Sequence, residues 1–269
     1  MGTKMKVALA YGKEKLWVEV PDSVQVQVVE PQYTEGFSDQ VGAVRDALEK
    51  PIGHAPLSSA VKKDQKVAII FSDITRATPY HILLPALLDS LSHIPDPQIT
   101  FFCATGTHRD ATPDELEKIL GKDIAQRFRI VQNQASRAST HHYAGTTSSG
   151  NPILLNKELM EQDLRILTGF IEPHFFAGFS GGGKALMPGM AHVDSIRYNH
   201  SIRNLEHPKA RWGNTRGNPL WEEVMEAAEF AAPLFLLNIT LNRDKEITGV
   251  YAGDLRKAHQ KGCTLSLIH

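Results

Sequence analysis

Residues 66–105 read KVAIIFSDITRATPYHILLPALLDSLSHIPDPQITFFCAT and contain the pattern that decides the fold. The runs 66–72 and 99–105 are almost continuously apolar, which is typical of parallel strands covered by helices on both faces. Between them, leucines recur at helical spacing over residues 79–91. The segment therefore predicts a strand–helix–strand unit of a parallel sheet.

The same alternation continues on both sides of this unit. KVALAYG and KLWVEVP, within residues 5–30, predict a small N-terminal β-hairpin at a sheet margin. Residues 134–151 and 173–191 have the composition of loops. Further elements are predicted as helices over 112–120, near 156–161, around 192–203 and over 219–230, and as strands near 128, from 164 and from 234. The pattern indicates an α/β fold with a Rossmann-like, doubly wound, mostly parallel sheet.

Composition narrows the class of protein. The 269 residues carry 29 Lys and Arg against 30 Asp and Glu, so there is no basic field to collect nucleic acid or anionic membrane. The sequence contains neither a signal-peptide pattern nor an apolar run of membrane-spanning length. Its two cysteines, Cys103 and Cys263, form no CxxC pair, which argues against zinc and for a reducing compartment. We therefore predict a cytoplasmic protein without nucleic-acid or membrane partners.

Polar residues follow three of the predicted strands, at 72–76 (SDITR), 104–109 (ATGTHR) and 169–184. Ligands of open α/β sheets bind beyond the carboxyl ends of the strands, so these segments are the first candidates for a site. Arg76 can grip a phosphate or carboxylate with two hydrogen bonds, and Asp73 can orient it. A helix cap with a surface salt bridge explains the same pair equally well.

The segment GFSGGGK, residues 178–184, presents several backbone N–H groups near Lys184, which suits a phosphate or another anion. It also fits the pattern GxxxxGK. However, Ala185 stands where a P-loop requires Ser or Thr for magnesium, and Pro188 truncates the helix that should follow. A P-loop-like nucleotide hydrolase is therefore a minor alternative, and a flexible surface lid is another.

Four histidines are candidates for chemistry near neutral pH. His108 and His174 follow predicted strands, and together they suit a base on one side of a substrate and an acid on the other. His192 and His200 lie eight residues apart on one predicted helix, too far apart to bind one metal ion together. A metal held by one of them would need its other ligands from a cofactor.

These motifs resemble the N-terminal domain of nickel-pincer lactate racemases in order and spacing. The matching motifs are SDITR at 72–76, ATGTHR at 104–109, GFIEPHFFAGFSGGGKALMPG at 169–189 and YNHS at 198–201. The likeness extends to PIGHAPL at 51–57 and to VYAGDLRKAHQKGC at 250–263. Residues 1–269 are thus expected to be this catalytic and cofactor-binding domain, with the family's C-terminal domain absent from the chain.

The resemblance implies an isomerase that racemizes or epimerizes a small 2-hydroxyacid, lactate or a related one, by hydride transfer to a nickel-pincer nucleotide. This cofactor is nickel-pyridinium-3,5-bisthiocarboxylate mononucleotide, and the resemblance implies that it is tethered covalently to Lys184. It implies His200 as the nickel ligand and His108 and His174 as alternating general bases and acids. Arg76 is implied to lie near the substrate as well as the cofactor. The residues implied to hold the cofactor, besides the tether, are Asp73, Ile74, Thr75 and Arg76.

The resemblance also implies partners and one departure from the family. The partners are a small-molecule 2-hydroxyacid and the enzymes that make and insert the cofactor. Gly183 stands where the family commonly has arginine, which predicts one fixed cation fewer near the cofactor or the substrate. Because a second domain normally contributes to the substrate pocket, a cofactor-binding domain that is inactive alone is the alternative.

Overall fold

A computed structural model describes residues 5–12, 14–29 and 32–267, which belong to two compact units that divide after Gln32. The first unit contains β1 (Met5–Tyr11) and β2 (Glu14–Val20), which pair antiparallel. The predicted hairpin is therefore confirmed. The expectation that it extends the margin of a larger sheet is wrong: within the described residues β1 and β2 pair only with each other, as a two-stranded sheet of their own.

The second unit, from Tyr33, alternates strands and helices along most of its length. Its strands are β3 (Val67–Ser72), β4 (Ile99–Ala104), β5 (Arg129–Gln132), β6 (His141–Thr146), β7 (Pro152–Asn156), β8 (Leu164–Phe170), β9 (Pro173–His174), β10 (Gly178–Phe179), β11 (Leu234–Leu241) and β12 (Ile247–Gly253). Its helices are α1 (Gln40–Glu49), α2 (Leu57–Ala60), α3 (Tyr80–Ser90), α4 (Pro113–Leu120), α5 (Lys122–Arg127), α6 (Lys157–Met160), α7 (Val193–Asn199), α8 (Ile202–Leu205), α9 (Pro219–Glu229) and α10 (Leu255–Ser266).

Within residues 32–267, six strands form the central sheet in the order β12-β11-β8-β3-β4-β5. The five strands from β11 to β5 are parallel, and only β12, at one edge, is antiparallel. This arrangement confirms the α/β class and the mostly parallel sheet. The order of the strands reverses between β3 and β8, which leaves a crevice beyond their carboxyl ends.

The apolar runs of the strands are explained by two cores, one on each face of the sheet. In β3, Ile69 and Phe71 pack into a core with residues of α1 and α3, whereas Ala68 and Ile70 pack into a second core with residues of α9 and α10. Successive side chains of a strand point to opposite faces, so a strand with a core on each face is apolar throughout. Each Å² of apolar surface removed from water stabilises the folded chain by about 25 cal/mol, so these two cores contribute the main stabilising term.

Local signals at helix ends hold where the sequence predicted them. Thr112 caps α4 by accepting from the Glu115 N–H, and the Glu115 carboxylate accepts from the Thr112 N–H, as in a capping box. The single helix predicted around 192–203 is wrong. It consists of α7 and α8, because Ser201 adopts an extended conformation that interrupts the helix.

Two segments predicted as loops contain strands. Residues 134–151 include β6, which pairs with β7, and residues 173–191 include β9 and β10, which pair with each other. The sequence HHYAGT of β6 has no apolar alternation, and two-residue strands are too short to show a period. Cross-strand pairing rather than local pattern therefore determines these elements.

None of the helices in the described part of the chain has the length and apolarity needed to cross a bilayer.

Candidate functional site

A cavity of about 480 Å³ lies at the crevice where β3, β4 and β8 end. The ends of these strands bring together segments that are far apart in sequence, because parallel strands present their carboxyl ends at one edge. Six of the residues singled out from the sequence line the cavity: Asp73, Arg76, His108, His174, Lys184 and His200. The structure therefore assembles most of the predicted site in one place.

Asp73 and His108 form a hydrogen-bonded pair at one wall of the cavity. The Nδ1 atom of His108 lies 2.6 Å from Oδ2 of Asp73. The buried carboxylate can only accept, so Nδ1 carries the proton and the neutral ring keeps its lone pair on Nε2. Thr75 donates both its N–H and its hydroxyl to the other oxygen, Oδ1, of Asp73. The pair thus holds His108 in the tautomer that can accept a proton at Nε2.

The remaining residues of the SDITR segment have different surroundings. Of residues 72–76, all of which the structure describes, Ile74 and Thr75 do not line the cavity. Arg76 does, and its guanidinium lies 3.7 Å from the Glu172 carboxylate. Asp73 caps no helix, since α3 begins only after Pro79. The prediction that Ile74 and Thr75 hold a cofactor therefore stays a prediction that no contact with the cavity supports.

His174 lies on β9, half-buried on the cavity wall. Its Nδ1 accepts from the Ala177 N–H at 3.3 Å, so the neutral ring carries its proton on Nε2. Burial, with Lys184, Arg76 and His200 nearby, lowers the pKa of His174 to about 4. At pH 7 this ring is neutral and presents an N–H donor. The hydrogen bonds of the two rings thus differ, since Nδ1 of His174 accepts whereas Nδ1 of His108 donates to Asp73.

Lys184 lies in a short 3-10 turn that spans Gly182–Ala185. Burial and the Arg76 guanidinium lower the pKa of Lys184 to about 7, against the opposing effect of Glu172. The pKa of Glu172 is raised in turn by burial, which Arg76 and Lys184 oppose. At neutral pH the Lys184 amine is consequently uncharged in a large fraction of the molecules, and an uncharged amine is a nucleophile.

The structure does not support the P-loop alternative. A P-loop needs a helix directly after its lysine, so that the helix N-terminus faces the phosphates. After Lys184 the chain passes through Pro188, and the next α-helix begins only at Val193. The GxxxxGK match is therefore incidental.

Gly183 faces away from the cavity. A Cβ atom at this position would lie 3.1 Å from Cγ1 of Val224 and 3.3 Å from Cβ of Ala228, both on α9. A longer side chain here would meet α9. The expectation that Gly183 removes a cation from the surroundings of the cofactor or substrate stays a prediction, and the contacts of position 183 with α9 do not support it.

His200 caps the C-terminus of α7 and lines the cavity, half-buried. Its Nδ1 lies 3.1 Å from the Ile196 carbonyl, which accepts, so the neutral ring offers the Nε2 lone pair to another partner. Burial lowers the pKa of His200, which favours the neutral form that a metal requires. His192, at the other end of α7, does not line this cavity and packs against His141 with 5.2 Å between ring centroids.

Comparison with known proteins places the chain in a family. Residues 11–213 match the model of the lactate racemase N-terminal domain. The chain belongs to the lactate racemase N-terminal domain family. It is 38% identical over 261 residues to the lactate racemase of Lactiplantibacillus plantarum, and the match covers 96% of this chain and 61% of that protein. It is 35% identical to the lactate racemase of Thermoanaerobacterium thermosaccharolyticum, again over 96% of this chain and 61% of the relative.

One solved structure agrees with this placement in the lactate racemase family, and a second shares the fold. The lactate racemase apoprotein from Thermoanaerobacterium thermosaccharolyticum superposes with a TM-score of 0.89 at 34% identity, over 97% of this chain and 62% of that chain. A Thermotoga maritima protein, 24% identical, shares the fold with a TM-score of 0.72 over 87% of this chain and 60% of that chain. The chain thus spans about three fifths of the length of the lactate racemases it matches.

Sequence reasoning missed a buried polar network beside His200. Glu223 on α9 is buried, and it accepts from the amide groups of Asn199 at 2.6 Å and Asn151 at 3.0 Å. The hydroxyls of Thr147 and Ser149 also donate to Glu223. A signal for this network exists, because Glu223 falls on the apolar face of α9, between Leu220 and Ala227, where a charge needs partners. The network fixes Asn199, the residue that precedes His200.

Proposed function

We propose that this chain carries the cofactor site of a racemase or epimerase that acts on a small 2-hydroxyacid, lactate or a related one. The observation that carries the proposal is that His108, His174, Lys184 and His200 line one cavity in a chain whose relatives are named lactate racemases. The proposed cofactor is the nickel-pincer nucleotide tethered to Lys184. The proposed partners are the hydroxyacid and the enzymes that make and insert the cofactor.

The residues present fit this group. The partly uncharged amine of Lys184 can form an amide-type bond, and the Nε2 lone pair of His200 can bind nickel. No cluster of three or more His, Cys, Asp or Glu side chains suited to a metal occurs among the described residues. A metal at His200 would therefore need ligands that the cofactor brings. A cavity of about 480 Å³ is within the range that holds small ligands and cofactors.

The sheet suits this use as a Rossmann-like, doubly wound scaffold. Its strand order reverses between β3 and β8, and the cavity lies at that point of reversal, which is where such scaffolds bind nucleotides. Asp73 and Arg76 follow β3, His108 follows β4, and His174 and Lys184 follow β8. The ends of β3 and β4 hold Asp73 and His108 directly, so these two side chains lose little entropy when a ligand binds.

When bound, the cofactor supplies the capacity to accept a hydride from the substrate's Cα and to return it. The side chains of this chain move the proton and hold the substrate. His108, with its Nε2 lone pair oriented by Asp73, accepts the hydroxyl proton of one enantiomer. His174 has the matching position for the other enantiomer: in its neutral form the Nε2–H donates a hydrogen bond to the hydroxyl oxygen, and the ring would accept the hydroxyl proton at Nε2 in the tautomer that carries its own proton on Nδ1. Arg76, on the cavity wall, can hold the carboxylate.

The experiment is coexpression of the chain with the cofactor-making enzymes, followed by mass spectrometry of the Lys184 peptide, nickel analysis and a test of lactate inversion. We expect added mass on that peptide and bound nickel. His108→Ala and His174→Ala should each abolish inversion and keep the added mass, with the exposed His207→Ala as control. Absence of both the added mass and nickel rejects the proposal.

A second candidate is a cofactor-binding domain that has no turnover by itself. The chain spans only 61% of its lactate racemase relatives, which favours this alternative. The same preparation separates the two. Added mass and nickel without inversion of any 2-hydroxyacid support the binding domain, and inversion by this chain alone rejects it.

A further inference from the structure

The glycine-rich turn that carries Lys184 has little intrinsic preference for its backbone conformation. Gly181 and Gly182 both have positive φ angles, +73° and +59°, in the region that glycine enters most readily. Glycine also loses the most conformational entropy when it is fixed. The position of Lys184 must therefore be set by groups that hold this stretch from outside.

One such group is His259, on α10. Its Nε2 lies 2.9 Å from the carbonyl oxygen of Ser180, and its ring stacks on Trp221 with 4.5 Å between centroids. A Cβ atom on Gly182 would lie 2.7 Å from Cδ2 of His259 and 3.0 Å from the Trp221 ring. The stacked pair of His259 and Trp221 thus fills the back of the glycine turn.

The hydrogen-bond partners of His259 fix its tautomer. Because the Ser180 carbonyl can only accept, Nε2 carries the proton, and Nδ1 is left to accept from the Cys263 thiol at 3.2 Å. Burial lowers the pKa of His259 to about 4, so the ring is neutral at pH 7. It makes these two hydrogen bonds from the interior of the protein, where competition from water is absent.

Asn238, on β11, holds the same turn from another side. Its Oδ1 accepts from the Gly182 N–H at 2.7 Å, and its Nδ2 donates to the carbonyls of Leu167 and Leu237 at 3.3 and 3.0 Å. The turn is therefore fastened to β8 and β11 as well as to α10. Both Asn238 and His259 lie outside the residues, 11–213, that match the family model.

We infer that His259 and Asn238 are positioning residues: they fix the backbone of the segment 180–184 and thereby hold the Lys184 amine inside the cavity. The inference rests on the proposed function, in which that amine is the tether. It concerns the amine itself, however, and can be tested without the cofactor. Lys184 is faced by Arg76 after β3, Glu172 and His174 after β8, and His200 at the end of α7, while His259 lies behind it.

The test measures the rate at which an acetyl-N-hydroxysuccinimide ester acylates Lys184 in the full 269-residue chain, as a function of pH, by peptide mass spectrometry. The unaltered chain should show a midpoint near pH 7. His259→Asn is too short to reach the Ser180 carbonyl, so the turn loosens and Lys184 meets water. We expect its midpoint to rise by at least one unit, with an approximately tenfold lower rate at pH 6.

Two variants separate positioning from general stability. His259→Gln places an N–H close to the original Nε2 and should restore the parent midpoint. His93→Leu removes a similar hydrogen bond, of 3.0 Å from His93 Nε2 to the Val61 carbonyl, between residues that do not line the cavity. This variant should lower the stability of the chain without moving the midpoint. Asn238→Ala removes a different fastening and should act in the same direction as His259→Asn.

An unchanged midpoint in a folded His259→Asn or Asn238→Ala chain overturns the inference, as does an equal shift in His93→Leu. The rate of amide hydrogen exchange at Gly182 in the unaltered chain tests the same inference even when those variants do not fold. The Gly182 amide should exchange as slowly as amides of the central sheet, and exchange at the rate of an open loop overturns the inference. A midpoint near 7 that His259→Asn raises, together with no added mass from the cofactor, rejects the proposed function and leaves the inference standing.

Discussion

The Nδ1 atom of His108 lies 2.6 Å from Oδ2 of Asp73, although the two residues are 35 positions apart and follow different strands. Asp73 follows β3 and His108 follows β4, and these strands are parallel neighbours. Sequence alone assigned the Asp73 carboxylate to cofactor binding. The hydrogen bond shows a second role for it, which is to orient His108. The same logic operates wherever a carboxylate sets the tautomer of a catalytic imidazole.

Asp73→Asn should therefore disable His108 with little change in fold. The amide can donate to Nδ1, which moves the ring proton to Nε2 and removes the lone pair that accepts a proton. Long-range ¹H–¹⁵N NMR of the His108 ring should report the change of tautomer. In cofactor-loaded protein, inversion should fall by about 10²- to 10⁴-fold. Thr75→Val, which removes only the hydroxyl bond to Asp73, should have a much smaller effect, and an equal loss in both variants would contradict this role.

Lys184 should make the free energy of unfolding depend on pH. The pKa of Lys184 is about 7 when folded, against 10.5 for the free side chain, so between these values the unfolded chain binds the extra proton. Stability should thus decrease as pH falls from 10.5 to 7 and level off below. Lys184→Met should abolish this component, which amounts to roughly 2 to 4 kcal/mol after allowance for water in the cavity. Urea unfolding at several pH values measures it, with the exposed Lys63→Met as a charge-matched control.

Nickel content should depend on His200 separately from the covalent tether. In His200→Ala, the imidazole that can offer Nε2 is gone, whereas Lys184 is unchanged. We expect the added mass on the Lys184 peptide to persist while the nickel found by elemental analysis falls well below one equivalent. His192→Ala is the matched control, because His192 lies at the other end of α7 and does not line the cavity. Full nickel occupancy in His200→Ala would rule out this ligand.

Glu223→Gln should destabilise the chain and disturb His200 through Asn199. The Glu223 carboxylate accepts from two amides and two hydroxyls, and a glutamine would turn an N–H group toward some of these donors. A loss of about 1 to 3 kcal/mol in urea unfolding is expected. Glu226→Gln is a control on the same helix, since Glu226 accepts from Ser148 nearer the surface. A similar loss in both variants would show that the buried network has no special weight.

Much of the site was predictable because its parts are local. The apolar runs of β3, β4 and β8 mark buried strands, and polar residues directly after such strands gather at one edge of a parallel sheet. His108, His174 and Lys184 could thus be assigned to a common crevice from sequence. The capping box at Thr112 is equally local, because its two hydrogen bonds join residues three positions apart.

Other features could not be predicted from local pattern. The β6–β7 pairing and the antiparallel edge strand β12 depend on partners distant in the chain. The direction in which position 183 faces depends on the packing of α9, which no local pattern of the glycine turn reveals. Ile74 and Thr75 share a motif with Arg76, yet only Arg76 lines the cavity.

The sequence by itself determined the α/β class, the positions of the buried strands and the edge of the sheet at which chemistry gathers, because apolar periodicity and strand-end residues are written along the chain. The tertiary structure decided the protonation and orientation of the groups in the site. The tautomer of His108 depends on Asp73, and the turn that bears Lys184 is held at Ser180 by His259, 79 positions away. Burial and hydrogen bonding between distant residues set these properties, and both exist only once the chain is folded.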